Sequence, residues 1–301
     1  MIGVVVLFVI FFYYPFVDSA TPKSLKRYSF EQSSKHVSAL TIGASSYFMQ
    51  RKLCRAEGIA VDGLFDDDWL KEKAYFGPGA FGRLDEKDDA KYYEMERFVE
   101  HIDERAVNAL VKYHDSVIAK ESEAQGGRPL DVLDLCSSWT SHVTSRENLP
   151  VNMFWGLGMK DTELAANGLL TKRTVHDLNK EPRFASSISN GDNSVDVVLL
   201  QLSVDYLTRP VEVFQEVGRL LRPGGSCHVT FSNRVFIDKV VGIWSGKSDD
   251  EHCEIVGDYF KASGAFSLPP TARDLILENR RSLKGKGKDP LYVVSARKRA
   301  N

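Results

Sequence analysis

No glycine stands in "LDLCSSWTSH", Leu133 to His142, although a strand-like run opening into a tight loop is where a nucleotide-cradling turn usually carries several. The four cysteines, Cys54, Cys136, Cys227 and Cys253, form no C-x-x-C pair and no zinc-like His/Cys spacing. That pattern excludes a disulfide framework and predicts packed or free thiols. His252 and Cys253 are neighbours without a convincing third and fourth ligand, so no metal site is expected. Neither sign of charge dominates: 39 Lys and Arg against 41 Asp and Glu leave a net of -2. With no long basic run interleaved with aromatics, no nucleic-acid partner is expected. Internal repeats and leucine heptads are also missing, which removes solenoids and coiled coils and leaves the oligomeric state open.

Charge is missing from the amino end as well. "MIGVVVLFVIFFYYPFVDSA" has no charged side chain before Asp18, yet it contains Pro15, is short for a clean membrane span and lacks the basic start of a typical secretory signal. The next twenty residues are rich in Ser, Lys and Arg, with Glu31 the sole acid. We expect residues 1–20 to be a hydrophobic signal or anchor segment, cleaved near Ser19 or Ala20, and residues 21–58 a basic, Ser-rich transit segment. That order fits a plastid or secretory route; the alternative is retention as an anchor, with membrane association through residues 1–17.

What remains is long enough, at 301 residues and 43% hydrophobic overall, to bury one substantial core. Residues 59–91, with "FGPGAFGRLDEKDD", predict an irregular, poorly packed lead-in. Beyond it, Val107, Leu110, Val111 and Val117 recur at helical spacing behind Asp103, which is placed to cap the first turn. "LDVLDL" predicts a short buried strand, "VNMFWGLG" a second, "KDTELAANGLL" a helical segment packing through Leu164 and Ala165, "TKRTVHDL" a third strand and "SVDVVLLQLS" a strongly apolar fourth. In "TRPVEVFQEVGRLLRPGGSCHVTFSNR", Val211, Phe214, Val217 and Leu221 predict a helix, which "RPGG" stops before "SCHVTFS" starts another strand. "EHCEIVGDYFKASGAF" predicts a further helix and "PLYVVSARK" a last strand. Strands alternating with helices predict an α/β fold, a doubly wound Rossmann-like sheet with helices on both faces, over residues 92–298.

The ordered segments "DVLDLCSSWTSH", "GLGMKDTELAAN", "VHDLNKEPRF", "SVDVVLLQLSVDYLTRPVEVFQEVGRLLRPGG" and "FSNR" resemble those of class I S-adenosylmethionine-dependent methyltransferases, in particular the methyltransferase type 11 group and a branch of it found in photosynthetic organisms. The resemblance implies S-adenosylmethionine as cofactor and methyl transfer to a small-molecule acceptor. It places Asp134 at the acidic position of the cofactor loop and Cys136, Ser138 and Thr140 where three glycines would stand. Gly158 falls where a ribose-binding carboxylate is expected; Asp161 or Glu163 is near enough in sequence to reach back. Asp177 and Leu178 fall at the adenine position, where a loop-capping aspartate is the other reading, and Gln201 borders the cofactor after the fourth strand.

Methyl transfer needs alignment more than it needs a base. If the acceptor must lose a proton, His142 is the candidate catalytic base, with a packed or helix-bonded imidazole as the other reading. Trp139, Asn233, Arg234 and Trp244 are candidate acceptor-binding residues, and structural packing explains each of them equally well. The runner-up function is a noncatalytic binding or assembly protein on the same fold, favoured by the altered loop and the missing carboxylate.

Overall fold

The computed structural model describes residues 76–77, 79–185 and 191–300. The expectations for residues 1–58, Cys54 among them, and for residues 59–75 lie outside these.

The parallel strands come first in chain order and carry the site. β1 (Leu130–Leu135), β2 (Val151–Gly158), β3 (Lys172–Val175), β4 (Val195–Gln201) and β5 (Leu221–Phe231) all run the same way, β7 (Tyr292–Arg297) pairs antiparallel to β5, and β6 (Thr271–Asp274) pairs antiparallel to β7 at the edge. The spatial order is β3-β2-β1-β4-β5-β7-β6. Chain direction reverses its march between β1 and β4, the switch point where such sheets open a crevice beyond the carboxyl ends of their strands.

Buried on both faces, β4 shows why the middle of the sheet reads as a continuous apolar run. Its Val198 and Leu200 join one core cluster, and Val197 and Leu199 the other, because successive strand side chains alternate. The first cluster is closed by α4 (Pro210–Leu220) and α5 (Asp249–Ser263), the second by α2 (Glu104–Ala124) and α6 (Leu275–Asn279); two shorter helices, α1 (Asp89–Tyr92) and α3 (Asp161–Ala166), lie at the crevice end. Helices therefore cover both faces, as the alternation predicts.

Local signals explain the helix ends. Asp103 caps α2 by accepting from Ala106 N at 3.0 Å. Ser248 and Glu251 form a reciprocal capping box on α5, whose other end stops at Gly264, φ +70°.

Several details depart from the sequence expectation. The buried stripe of α2 is Ala106, Ala109, Leu110, Tyr113 and Val117, which puts Val107 and Val111 at its edge. In α3, Glu163 is buried beside Leu164, and Ala165 faces out. "RPGG" is no loop: β5 begins at Leu221 directly after α4, and a shift of register separates the pairs Leu221–Val195 and Ser226–Val197. Arg222 uses that irregularity to reach Asp196 at 2.7 Å and Asp131 at 2.8 Å. Residues 79–91 are not loosely packed either, since Phe81 packs on the core and Arg83 and Asp89 are buried.

Candidate active site

Loops after β1, β2, β3, β4 and β5 converge on one cleft of about 1230 Å³ counted to its open mouth, roofed by residues 83–101.

The loop after β1 forms the floor. Cys136, at φ +58°, takes the left-handed conformation that a glycine would have taken without cost. His142 at φ +47° and Leu202 at φ +50° also line the cleft in that conformation, each at about 1 kcal/mol or more for a residue with a Cβ. Strain of this kind persists where surrounding contacts enforce it. Here they are explicit. Ser137 N donates to Leu157 O at 2.7 Å, and Ser137 Oγ and Ser141 Oγ both donate to Asp134 Oδ2 at 2.6 Å. Burial also pushes the Cys136 thiol up to about 12, with Asp134 and Asp205 adding to the effect, so the group facing the cleft is a neutral thiol.

Asp134 is fully buried and does not line the cleft. Besides the two serines it accepts from Gln201 Nε2 at 2.8 Å. The expected cofactor contact is thus a bracket that ties the β1 loop to the end of β4. Burial raises its pKa despite those three donors.

His142 continues the same network. Its Nδ1 lies 2.6 Å from Gln201 Oε1 and its Nε2 2.9 Å from Glu100 Oε2. Because Gln201 gives its amide to Asp134, its carbonyl faces the ring, and both ring nitrogens act as donors. Burial works to lower the His142 pKa, but the Glu100 hydrogen bond and charge, with Gln201 and Asp134, raise it overall. His142 thus links the roof to the floor, each ring nitrogen facing an oxygen of Gln201 or Glu100.

Gly158 explains the absent carboxylate in steric terms. A Cβ there would stand 2.0 Å from Ser137 O, so no side chain fits at that position while the β1 loop keeps its path. Of the two acids downstream, Asp161 is exposed and paired with Arg173. Glu163 turns in: it lines the cleft, accepts from Ser138 Oγ at 2.6 Å through Oε2, and accepts from Arg97 N at 2.8 Å through Oε1.

Asp177 and Leu178 line the cleft after β3, and Asp177 Oδ1 also caps its own loop by accepting from Asn179 N at 3.0 Å. Ser138, Thr140 and Trp139 are on the wall too, with Trp139 edge-on to Phe98. Three expected acceptor residues lie elsewhere. Arg234 pairs with Asp289 at 2.8 Å, Asn233 is off the cleft wall, and Trp244 is 2% exposed, stacked on His252.

Sequence reasoning passed over the roof. Tyr93, Arg97, Glu100 and His101 line the cleft from above, Tyr206 and Phe236 from the β4 and β5 side, and Arg83, Asp89 and Lys239 close one end. The lone usable signal was the aromatic and charged density of "KYYEMERFVEH". Among the described residues no cluster of metal-ligating side chains occurs, and no helix is long and apolar enough to cross a membrane.

No curated protein matches the sequence. Solved structures similar in fold include a protein of Galdieria sulphuraria provisionally described as a sarcosine dimethylglycine methyltransferase, at 15% identity over 62% of this chain and 86% of that one, TM-score 0.40. An S-adenosylmethionine dependent methyltransferase from Mesorhizobium loti shares 14% identity over 57% and 92%, TM-score 0.36. Phosphoethanolamine N-methyltransferase 2 of Haemonchus contortus, in complex with S-adenosyl-L-methionine, shares 12% over 62% and 52%, TM-score 0.41. Residues 170–229, from the turn before β3 to the middle of β5, match the family model described as a methyltransferase domain.

Proposed function

We propose that the protein transfers a methyl group from S-adenosylmethionine to a small-molecule acceptor bound under the roof of the cleft. The observation that carries this reading is the position of the cleft at the β1/β4 switch point, floored by a loop that keeps a left-handed turn at Cys136 without a glycine. The residues present fit the cofactor. Cys136, Ser138 and Thr140 are small, Gly158 has no side chain, and Glu163 brings a buried carboxylate to where a ribose needs an acceptor.

The cofactor supplies an electrophilic methyl group on a positively charged sulfur. The chain supplies alignment and exclusion of water: Asp134, Ser137 and Ser141 fix the floor, Gln201 and His142 join floor to roof, and Leu202, Phe236 and Trp139 give apolar walls.

Ligand binding to the native state alone raises thermal stability. S-adenosylmethionine or its demethylated product at 100 times its Kd is expected to add about 2.7 kcal/mol. Unchanged melting of the folded protein with both compounds would reject the reading. The second reading, a binding protein without turnover, is favoured by the three Cβ atoms that replace glycines on the floor; saturable binding without methyl transfer to any acceptor tried would support it.

The same proposal includes the finer placement in a branch of photosynthetic organisms and routing by residues 1–58 to a plastid or into the secretory route, with residues 1–17 as membrane anchor the alternative. An intact Met1 on the mature protein would sink the cleavage step.

A further inference from the structure

We infer that the acceptor carries a carboxylate on an otherwise apolar body, and that Arg97 receives it; this rests on the methyl-transfer reading of the cleft. The Arg97 guanidinium carbon lies 4.3 Å from the Tyr92 ring centroid, 5.1 Å from Phe236 and 5.7 Å from Tyr93. Its backbone N–H is fixed by Glu163 Oε1. Nη2 donates to Tyr92 O at 3.3 Å, and Nε and Nη1 have no hydrogen-bond partner among the described residues. Nor does any carboxylate among them pair with this guanidinium, although it lines the cleft. An arginine held on aromatic faces with most of its fork unspent is pre-organised for a planar, bidentate anion.

The other two cations of the wall are spent on a carboxylate. Arg83 and Lys239 are both nearly buried on the cleft wall, sharing Asp89 at 2.8 and 3.0 Å. Asp89, Glu100, Glu163 and Asp177 are on the same wall, so these two cations are already paired and the inference rests on the unspent fork of Arg97. The mouth nearby is apolar: Val99 lines the cleft while 56% exposed, with Phe98 and Ile237 at 52% and 44% beside lining residues. A charged head at Arg97 and an apolar body leaving past Val99 satisfy both features.

Isothermal titration of the full chain loaded with S-adenosylhomocysteine tests this with octanoate against octanamide, which share shape and differ in charge. Octanoate is expected to bind at least about tenfold more tightly, a difference of about 1.4 kcal/mol. Arg97→Gln should erase the preference, Arg97→Lys keep part of it, and both should hold S-adenosylhomocysteine within about threefold of wild type. Equal binding of acid and amide overturns the inference. So does a tenfold loss of S-adenosylhomocysteine in Arg97→Gln, because the guanidinium would then serve the cofactor's own carboxylate. If wild-type protein binds no S-adenosylhomocysteine, the methyl-transfer reading falls, and the octanoate preference of unliganded protein still decides the role of Arg97.

Discussion

Glu100 is exposed enough to be screened by solvent, yet its carboxylate meets His142 Nε2 at 2.9 Å on a buried ring. The folded pKa of His142 is raised above its ordinary value of 6.5. A raised histidine stabilises the native state below the unfolded pKa and loses that contribution as pH rises through the folded one. The bond between roof and floor is therefore strongest below about pH 6.5 and fades above it. Proton NMR of the His142 ring should show a midpoint above 6.5, and Glu100→Gln should move it down, because burial then acts with less opposition. A midpoint unmoved by that substitution would remove Glu100 as the cause. At this scale the sequence was legible wherever a strand opens into a loop, which is why Cys136, Ser138, Thr140, Asp177 and Gln201 are all on the wall. Asp134 misled, because an acid at a strand end has the same appearance whether it meets a ligand or two serines of its own loop. Arg97 and Lys239 were illegible, since nothing local says that residues so far apart in the chain share one cleft.

Strand β2 and the loop after β1 are built around each other. Leu157 O accepts from Ser137 N, and Ser137 O occupies the space a side chain at position 158 would need. Gly158→Ala places a Cβ 2.0 Å from that backbone oxygen, a contact that only movement of the loop relieves. Overpacking of this kind costs about 1–3 kcal/mol, and the displaced floor should weaken S-adenosylhomocysteine binding by more than tenfold in titration. Near wild-type affinity in a folded Gly158→Ala protein would mean that the floor is not where the cofactor lies. Elements of this kind were the easiest to read. β1 and β2 have the expected bounds, because short, mostly apolar runs between breaker and loop residues mark them even with Asp131 and Asp134 inside β1 and Asn152 inside β2. β6 and α6 went unseen, since "TARD" and "LILEN" are too short for periodicity and owe their form to pairing with β7 and packing on α2.

Across the whole molecule, residues 79–101 act as a strap that closes the cleft, and three connections hold it. Backbone bonds join it to the segment after β5: Asp85 N to Asp238 O at 2.8 Å, Gly242 N to Gly82 O at 2.9 Å and Ile243 N to Ala80 O at 2.7 Å. Glu163 and His142 hold its far end through Arg97 N and Glu100. Between them lies Asp89, which receives both Arg83 Nη1 bonds at 2.8 and 2.9 Å, Asn179 Nδ2 at 2.9 Å and Lys239 Nζ at 3.0 Å. Burial works against the Asp89 charge, but Arg83, Asn179 and Lys239 outweigh it and hold the carboxyl below the usual range. A depressed carboxylate adds stability above its unfolded pKa of about 4 and loses it as pH falls through the lower folded value, so this middle connection loosens in acid, the opposite sense to the His142–Glu100 link. Asp89→Ala leaves Arg83 and Lys239 buried around a missing partner, a change of about 3–5 kcal/mol for a broken buried pair. Amide hydrogen exchange at pH 7 should then quicken by at least tenfold across residues 79–92, with α2 and β4 keeping their protection. Asp89→Asn, which preserves shape but not charge, should fall between. If exchange in the strap is unchanged in Asp89→Ala, the backbone bonds to residues 238–243 hold it alone, and Asp89 has no part in closing the cleft.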